Sequence, residues 1–91
     1  MDVEWLPAAR KNLADIADHI AQDNPTAARE MATAILTRVA QLAAHPHQGR
    51  PGRVADTREL VVTGTPYLVP YIVQGEVITV LRVLHGKQKW P

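Results

Sequence analysis

The stretch from Tyr67 to Pro91, YLVPYIVQGEVITVLRVLHGKQKWP, limits the possible folds more than any other part of the chain. Two β-rich apolar runs flank Gln74-Gly75, the pattern of a hairpin closed by a short glycine-containing turn. Period-two alternation places Val77, Thr79, Leu81, Val83 and His85 on one face of the second run, and Ile78, Val80, Arg82 and Leu84 on the other. Both rows are mostly apolar, so a strand over about Glu76–His85 belongs in the middle of a sheet covered on both sides. Arg82 is the exception, an obligate cation in an apolar row. The strand empties into the basic tail Gly86-Lys87-Gln88-Lys89-Trp90-Pro91. Pro70 conflicts locally with the pattern, because a proline inside a strand removes a ladder hydrogen bond. Either its nitrogen meets no partner or the strand bulges there.

The rest of the chain supplies what covers such a sheet. Val3 and Trp5 alternate as a short opening strand. Pro7 suits the first turn of a helix, and Leu13, Ile16, Ala17 and Ile20 recur at helical spacing. Asn24-Pro25 is a second helix start, with asparagine as cap and proline at the first position. Ala28, Met31, Ile35, Val39 and Leu42 then form one stripe. Helices are expected over about Pro7–Ala21 and Pro25–Ala44, joined as an αα-hairpin. The segment from His45 to Arg53 carries turn residues throughout and reads as a surface loop. Arg58–Thr63 reads as a strand, with Leu60 and Val62 on one face and Glu59 and Val61 on the other. The order β-α-α-β-β-β gives an α+β fold in one domain, residues 1–91. A helical hairpin packs on one face of a mostly antiparallel sheet, and the other face is left as a shallow concave surface.

Charge and composition bound the function. The net charge is +1, but residues 1–49 hold four Lys/Arg against six Asp/Glu, and residues 50–91 hold six against three. The second half attracts an anionic partner, nucleic acid or an acidic protein segment, with a field weak for an autonomous DNA binder. There is no apolar run of about 18 residues and no visible signal peptide. There are no cysteines, which suits a cytoplasmic protein. His45-x-His47 is half a metal site at most, with no further ligand at useful spacing. Neither a metal nor a cofactor is expected.

Taken in order, several pieces carry a resemblance: the opening strand and helix Val3–Ile20, the Asn24-Pro25 helix, and His45-Pro46 followed by Gly49 and Pro51-Gly52. Arg58-Glu59-Leu60 and Val80-Leu81-Arg82-Val83-Leu84-His85-Gly86 complete it. Together they resemble the RelE/ParE superfamily, toxins of bacterial type II toxin–antitoxin modules, known from plasmid stabilization and growth inhibition. The resemblance implies a cognate antitoxin whose C-terminal segment wraps the toxin, and contact with operator DNA only through that antitoxin. It also implies one of two mechanisms. ParE-like members inhibit DNA gyrase, and RelE-like members are mRNA interferases that cut messages on the ribosome. A third possibility is a non-toxic member that only binds its antitoxin.

Departures from the RelE-like pattern favour the ParE-like branch. After Tyr67, Leu68 stands where those nucleases place an arginine. Two residues past Gly86, Gln88 stands in place of another. The strand carries Glu59 and Val61 rather than lysines, and a further acid–base aromatic is absent. RNA cleavage needs a proton acceptor, a proton donor and cations on the transition state. His85, Arg58 and Arg82 are the candidate catalytic set if the chain is a nuclease. Arg58, Arg82, Lys87, Lys89 and Trp90 are the candidate contacts for target or antitoxin. Each has a structural reading beside it. Arg58 can pair with Glu59, Asp56 or the terminal carboxylate. Arg82 can be held by backbone carbonyls or a carboxylate. His85 can be a hydrogen-bonded strand end, and Trp90 can dock on the core or stand exposed.

Overall fold

A computed structural model describes residues 1–91. Strand β1 (Asp2–Trp5) leads into helix α1 (Pro7–Ala21), and helix α2 (Pro25–Ala40) follows after a three-residue link. Pro7 occupies the first turn of α1. Asn24 caps α2, its side-chain oxygen accepting from the Ala27 N–H at 3.0 Å. The expected second helix extends to Ala44, but the α-helix ends at Ala40 and passes into one 3₁₀ turn, Gln41–Ala43. Tightening the last turn in this way is a common helix ending, and it still buries Leu42 at the end of the apolar stripe.

The strands β2 (Arg50–Pro51), β3 (Arg58–Val61), β4 (Tyr67–Gln74), β5 (Val77–Val80) and β6 (Leu84–His85) complete the chain. The sheet order is β1-β5-β4-β3-β2, with β6 also pairing with β4. All pairs are antiparallel except β1 with β5, which is parallel. The segment read as pure loop therefore contributes a short edge strand, Arg50–Pro51. Gly75, with φ 59°, opens the two-residue link between Gln74 and Val77, the positive φ that tight hairpin turns demand.

Register sorts the sheet into two faces. Val3, Trp5, Ile78, Val80, Tyr71, Val69 and Leu60 fall in one set of facing rows. These residues pack with Ala9, Ile35, Val39 and Leu42 from the helical layer into one core. Glu59, Leu68, Pro70, Ile72 and Thr79 belong to the other face by the same alternation.

The last strand is not continuous. Tyr71 pairs with Val80 and Leu68 with Leu84, so three residues, Leu81–Val83, oppose two, Val69 and Pro70. This is a β-bulge. Its cause lies opposite: the Pro70 carbonyl accepts from Leu81 N–H at 2.9 Å. The nitrogen of a strand residue points to the same edge as its carbonyl. The donor that proline lacks is therefore missing along the bulged strand, where regular pairing stops. The bulge also reverses the alternation, so Val80 and Val83 both enter the core and Arg82 turns out to solvent. The expected unbroken row containing Arg82 is thereby corrected. No helix is long and apolar enough to cross a membrane.

Candidate functional site

The basic tail is placed by a buried carboxylate. Glu59, on the face away from the helices, is 1% exposed. An ionised carboxylate in that position is tolerated only with donors around it, and it has them. Oε2 accepts from the Arg53 backbone N–H at 2.9 Å and from the Trp90 indole N–H at 3.0 Å. Oε1 accepts from the Arg50 guanidinium at 3.3 Å, and the Arg53 guanidinium lies 3.6 Å from Oε2. Burial pushes the Glu59 carboxyl up, but the hydrogen bonds from Arg53 and Trp90, the Arg53 charge and the Arg50 hydrogen bond together outweigh it. Its pKa is lowered below the ordinary glutamate value.

Arg53 also reaches the tail directly, donating to the Gln88 carbonyl at 2.8 Å and to the Gly86 carbonyl at 3.3 Å. Trp90 is docked and half-buried, while Lys87 and Lys89 are exposed. A turn precedes them: the Gln88 side chain accepts from His85 N–H at 2.8 Å, and His85 Nδ1 accepts from Lys87 N–H at 3.2 Å.

The other singled-out residues are elsewhere. Arg58 pairs with none of the carboxylates considered for it. Its guanidinium donates to the Gly49 carbonyl at 2.8 Å and the His47 carbonyl at 3.3 Å, stitching the loop before β2 to β3. Arg82 is exposed on the bulge and donates to the Leu81 carbonyl at 2.7 Å. His85 meets Tyr67 edge to face, with ring centroids 6.1 Å apart.

These three do not gather into one pocket. Arg58 lies opposite Tyr71 on one side of β4 and His85 opposite Tyr67 on the other, about 13 Å apart along the strand at roughly 3.3 Å per residue. His85 Nδ1 is engaged by the Lys87 N–H within the turn. Leu68, where the resemblance puts a nuclease cation, is 3% exposed and packs in the sheet. Gln88, where it puts the other, holds the turn. No group of three or more His, Cys, Asp or Glu side chains that could hold a metal ion comes together.

Sequence reasoning missed Glu59 as an anchor, Arg53 as a clamp, and Asn12. The Asn12 side chain accepts from Val83 N–H at 3.1 Å across the sheet–helix junction, satisfying a donor that the bulge strands. A lone carboxylate inside an apolar strand, downstream of two arginines and with a tryptophan near the terminus, is the signal that could have found the first two. Nothing in the local pattern marks Asn12.

A second surface lies on the helical layer. Trp5, Leu13, Ala14, Ala17 and Leu36, with Arg10, line an open groove of about 370 Å³. Leu36 is 48% exposed within it.

The comparisons with known proteins agree with one another. The family described as ParE toxin of type II toxin-antitoxin system, parDE, has a model that matches residues 3–90. A protein of Sinorhizobium fredii (strain NBRC 101917 / NGR234) named "Putative toxin Y4kP" is 40% identical over 89 residues, covering 98% of this chain and 92% of that protein. A solved structure described as "Chromosomal ParDE TA system from P. aeruginosa" superimposes with a TM-score of 0.84 at 30% identity, covering 93% of this chain and 95% of that one. With the helical hairpin on its sheet, the bulged last strand and the docked tail all falling within the matched residues, the chain belongs to the ParE toxin family of type II toxin–antitoxin systems.

Proposed function

We propose that this ParE-type toxin acts by binding, inhibiting DNA gyrase, and that a cognate antitoxin neutralises it. One observation carries the reading: the cations stand apart, Arg58 on one side of β4 and Arg82, Lys87 and Lys89 beyond the other, and do not converge with an acid–base group. Arg58 is tied to loop carbonyls, Arg82 projects from the bulge, and Lys87 and Lys89 stand out from the tail. Removing one transition-state stabiliser from an enzyme typically costs about 10²–10³ in rate. Here both nuclease cation positions are filled by residues with structural duties, Leu68 in the sheet and Gln88 in the turn. A binding inhibitor needs only a shaped cationic edge.

The antitoxin is read from the helical layer. Exposed Leu36 and Leu6 and the groove beside them suit the apolar face of a segment that orders on binding. Two assays test the whole reading. Purified toxin is expected to block supercoiling by purified gyrase and to leave ribosome-bound messages uncut. Site-specific cuts that vanish with His85→Ala would overturn it.

A further inference from the structure

We propose that Glu59 is the positioning residue of the toxin's C-terminal tail, holding Trp90 and, with Arg53, the Gly86–Lys89 backbone so that Lys87 and Lys89 meet the target in one register. The inference rests on the binding reading above and adds to it the device that orders the contact edge.

The tail has little else to hold it beyond its first turn. Lys87, Gln88 and Lys89 are exposed, so no apolar side chain between Gly86 and Trp90 packs it down. Its remaining ties converge on one carboxylate. Trp90 donates to Glu59 directly. Arg53 is fixed to Glu59 through its backbone N–H and its guanidinium, and its two terminal nitrogens take the carbonyls of Gly86 and Gln88. The clamped carbonyls alternate with Lys87 and Lys89, which leaves both ammonium groups free to face outward. The carboxylate's donors come from Arg50 of β2, from Arg53 just beyond it, and from the tail. Glu59 therefore ties the tail to edge strand β2 and to the residues that follow it. A lysine side chain loses much rotamer and backbone freedom when it docks. Fixing the backbone beforehand removes part of that cost from binding.

The test uses the full chain. Trp90→Phe keeps the ring and removes only the donor, and Glu59→Gln keeps the shape and removes the charge. Hydrogen exchange at the bonded tail amides, Lys87 and Gln88, and in Glu59→Gln also at the Trp90 indole N–H, is expected to speed up about tenfold or more, the scale of losing a charge-assisted hydrogen bond, with the amides of β4 and β5 unchanged. If Glu59→Gln does not fold, Trp90→Phe decides alone.

Gyrase inhibition supplies the second readout. The half-inhibiting concentration of Trp90→Phe is expected to rise about tenfold with the same plateau at saturation. Lys87→Ala/Lys89→Ala is expected to weaken inhibition as well. Adding Trp90→Phe to that pair is expected to cost nothing more, because both changes act through the tail. Unchanged tail exchange overturns the proposal. So does a loosened tail with unchanged inhibition, or full additivity between the two sets. If the unmodified toxin does not inhibit gyrase, the functional reading fails and presentation to that target fails with it. Exchange still decides whether Glu59 holds the tail.

Discussion

Two polar side chains, Glu59 and Tyr71, are almost fully shielded from water, and each takes its partners from segments outside the central strands. The Tyr71 hydroxyl donates to the Pro46 carbonyl at 2.8 Å and accepts from Gly49 N–H at 2.9 Å. Burial raises its pKa, opposed by the Gly49 hydrogen bond and the charges of Arg58 and Arg38. Tyr71→Phe leaves a buried N–H and carbonyl unpaired and is expected to cost about 1–3 kcal/mol of stability, read as a lower urea midpoint at unchanged slope. A Cβ on Gly49 would sit 2.7 Å from the Tyr71 hydroxyl and 3.0 Å from the Glu59 backbone carbonyl. Gly49→Ala must therefore displace one of them and is expected to lower the same midpoint. Glu59 adds a pH dependence. Its folded pKa lies below its unfolded value, so its contribution is complete above the ordinary glutamate value of about 4.3. It is lost as pH falls through the folded pKa. Acid titration is expected to free the tail in that range, followed through the fluorescence of Trp90 in a Trp5→Phe background. Glu59→Gln is expected to abolish that step.

At the scale of elements, the last strand shows where sequence was legible and where it was not. Both helix starts were written locally: Pro7 and Asn24-Pro25 act within one turn, and the buried stripe Ala28, Ile35, Val39 and Leu42 follows helical spacing through the 3₁₀ turn. The parity switch between Val80 and Val83 was not. It depends on Pro70 lying opposite in a neighbouring strand, a pairing that exists only after the hairpin closes. Arg82 looked like a buried cation for that reason alone. The bulge is then held by a residue 71 positions away, Asn12, through the Val83 N–H. Asn12→Ala strips that donor of its partner and is expected to cost about 1–3 kcal/mol. Exchange at the Val83 amide should accelerate more than at Ile78 or Val80. Uniform acceleration would mean that Asn12 supports the whole fold and has no special hold on the bulge.

Over the whole molecule, the two surfaces that matter lie on opposite sides of the sheet. The charged edge comes from the bulge and the tail. The apolar groove of Trp5, Leu13, Ala14, Ala17 and Leu36 lies between the helices, on the face away from Glu59. If the groove takes the antitoxin and the edge takes the target, single changes should separate the two. Leu36→Glu places a charge where a 48% exposed leucine offers apolar area, in a residue outside the core cluster. Its effect on folding should be within about 0.5 kcal/mol, the usual range for a surface substitution. Loss of an apolar anchor at the centre of an interface commonly costs about 2 kcal/mol or more, roughly thirtyfold or greater in affinity. The variant is therefore expected to bind antitoxin at least about thirtyfold more weakly in calorimetry, while gyrase inhibition by the isolated toxin is unchanged. In cells it should arrest growth even when antitoxin is co-expressed. Unchanged antitoxin affinity would move the antitoxin site off the groove. Parallel loss of gyrase inhibition would mean that one surface serves both partners.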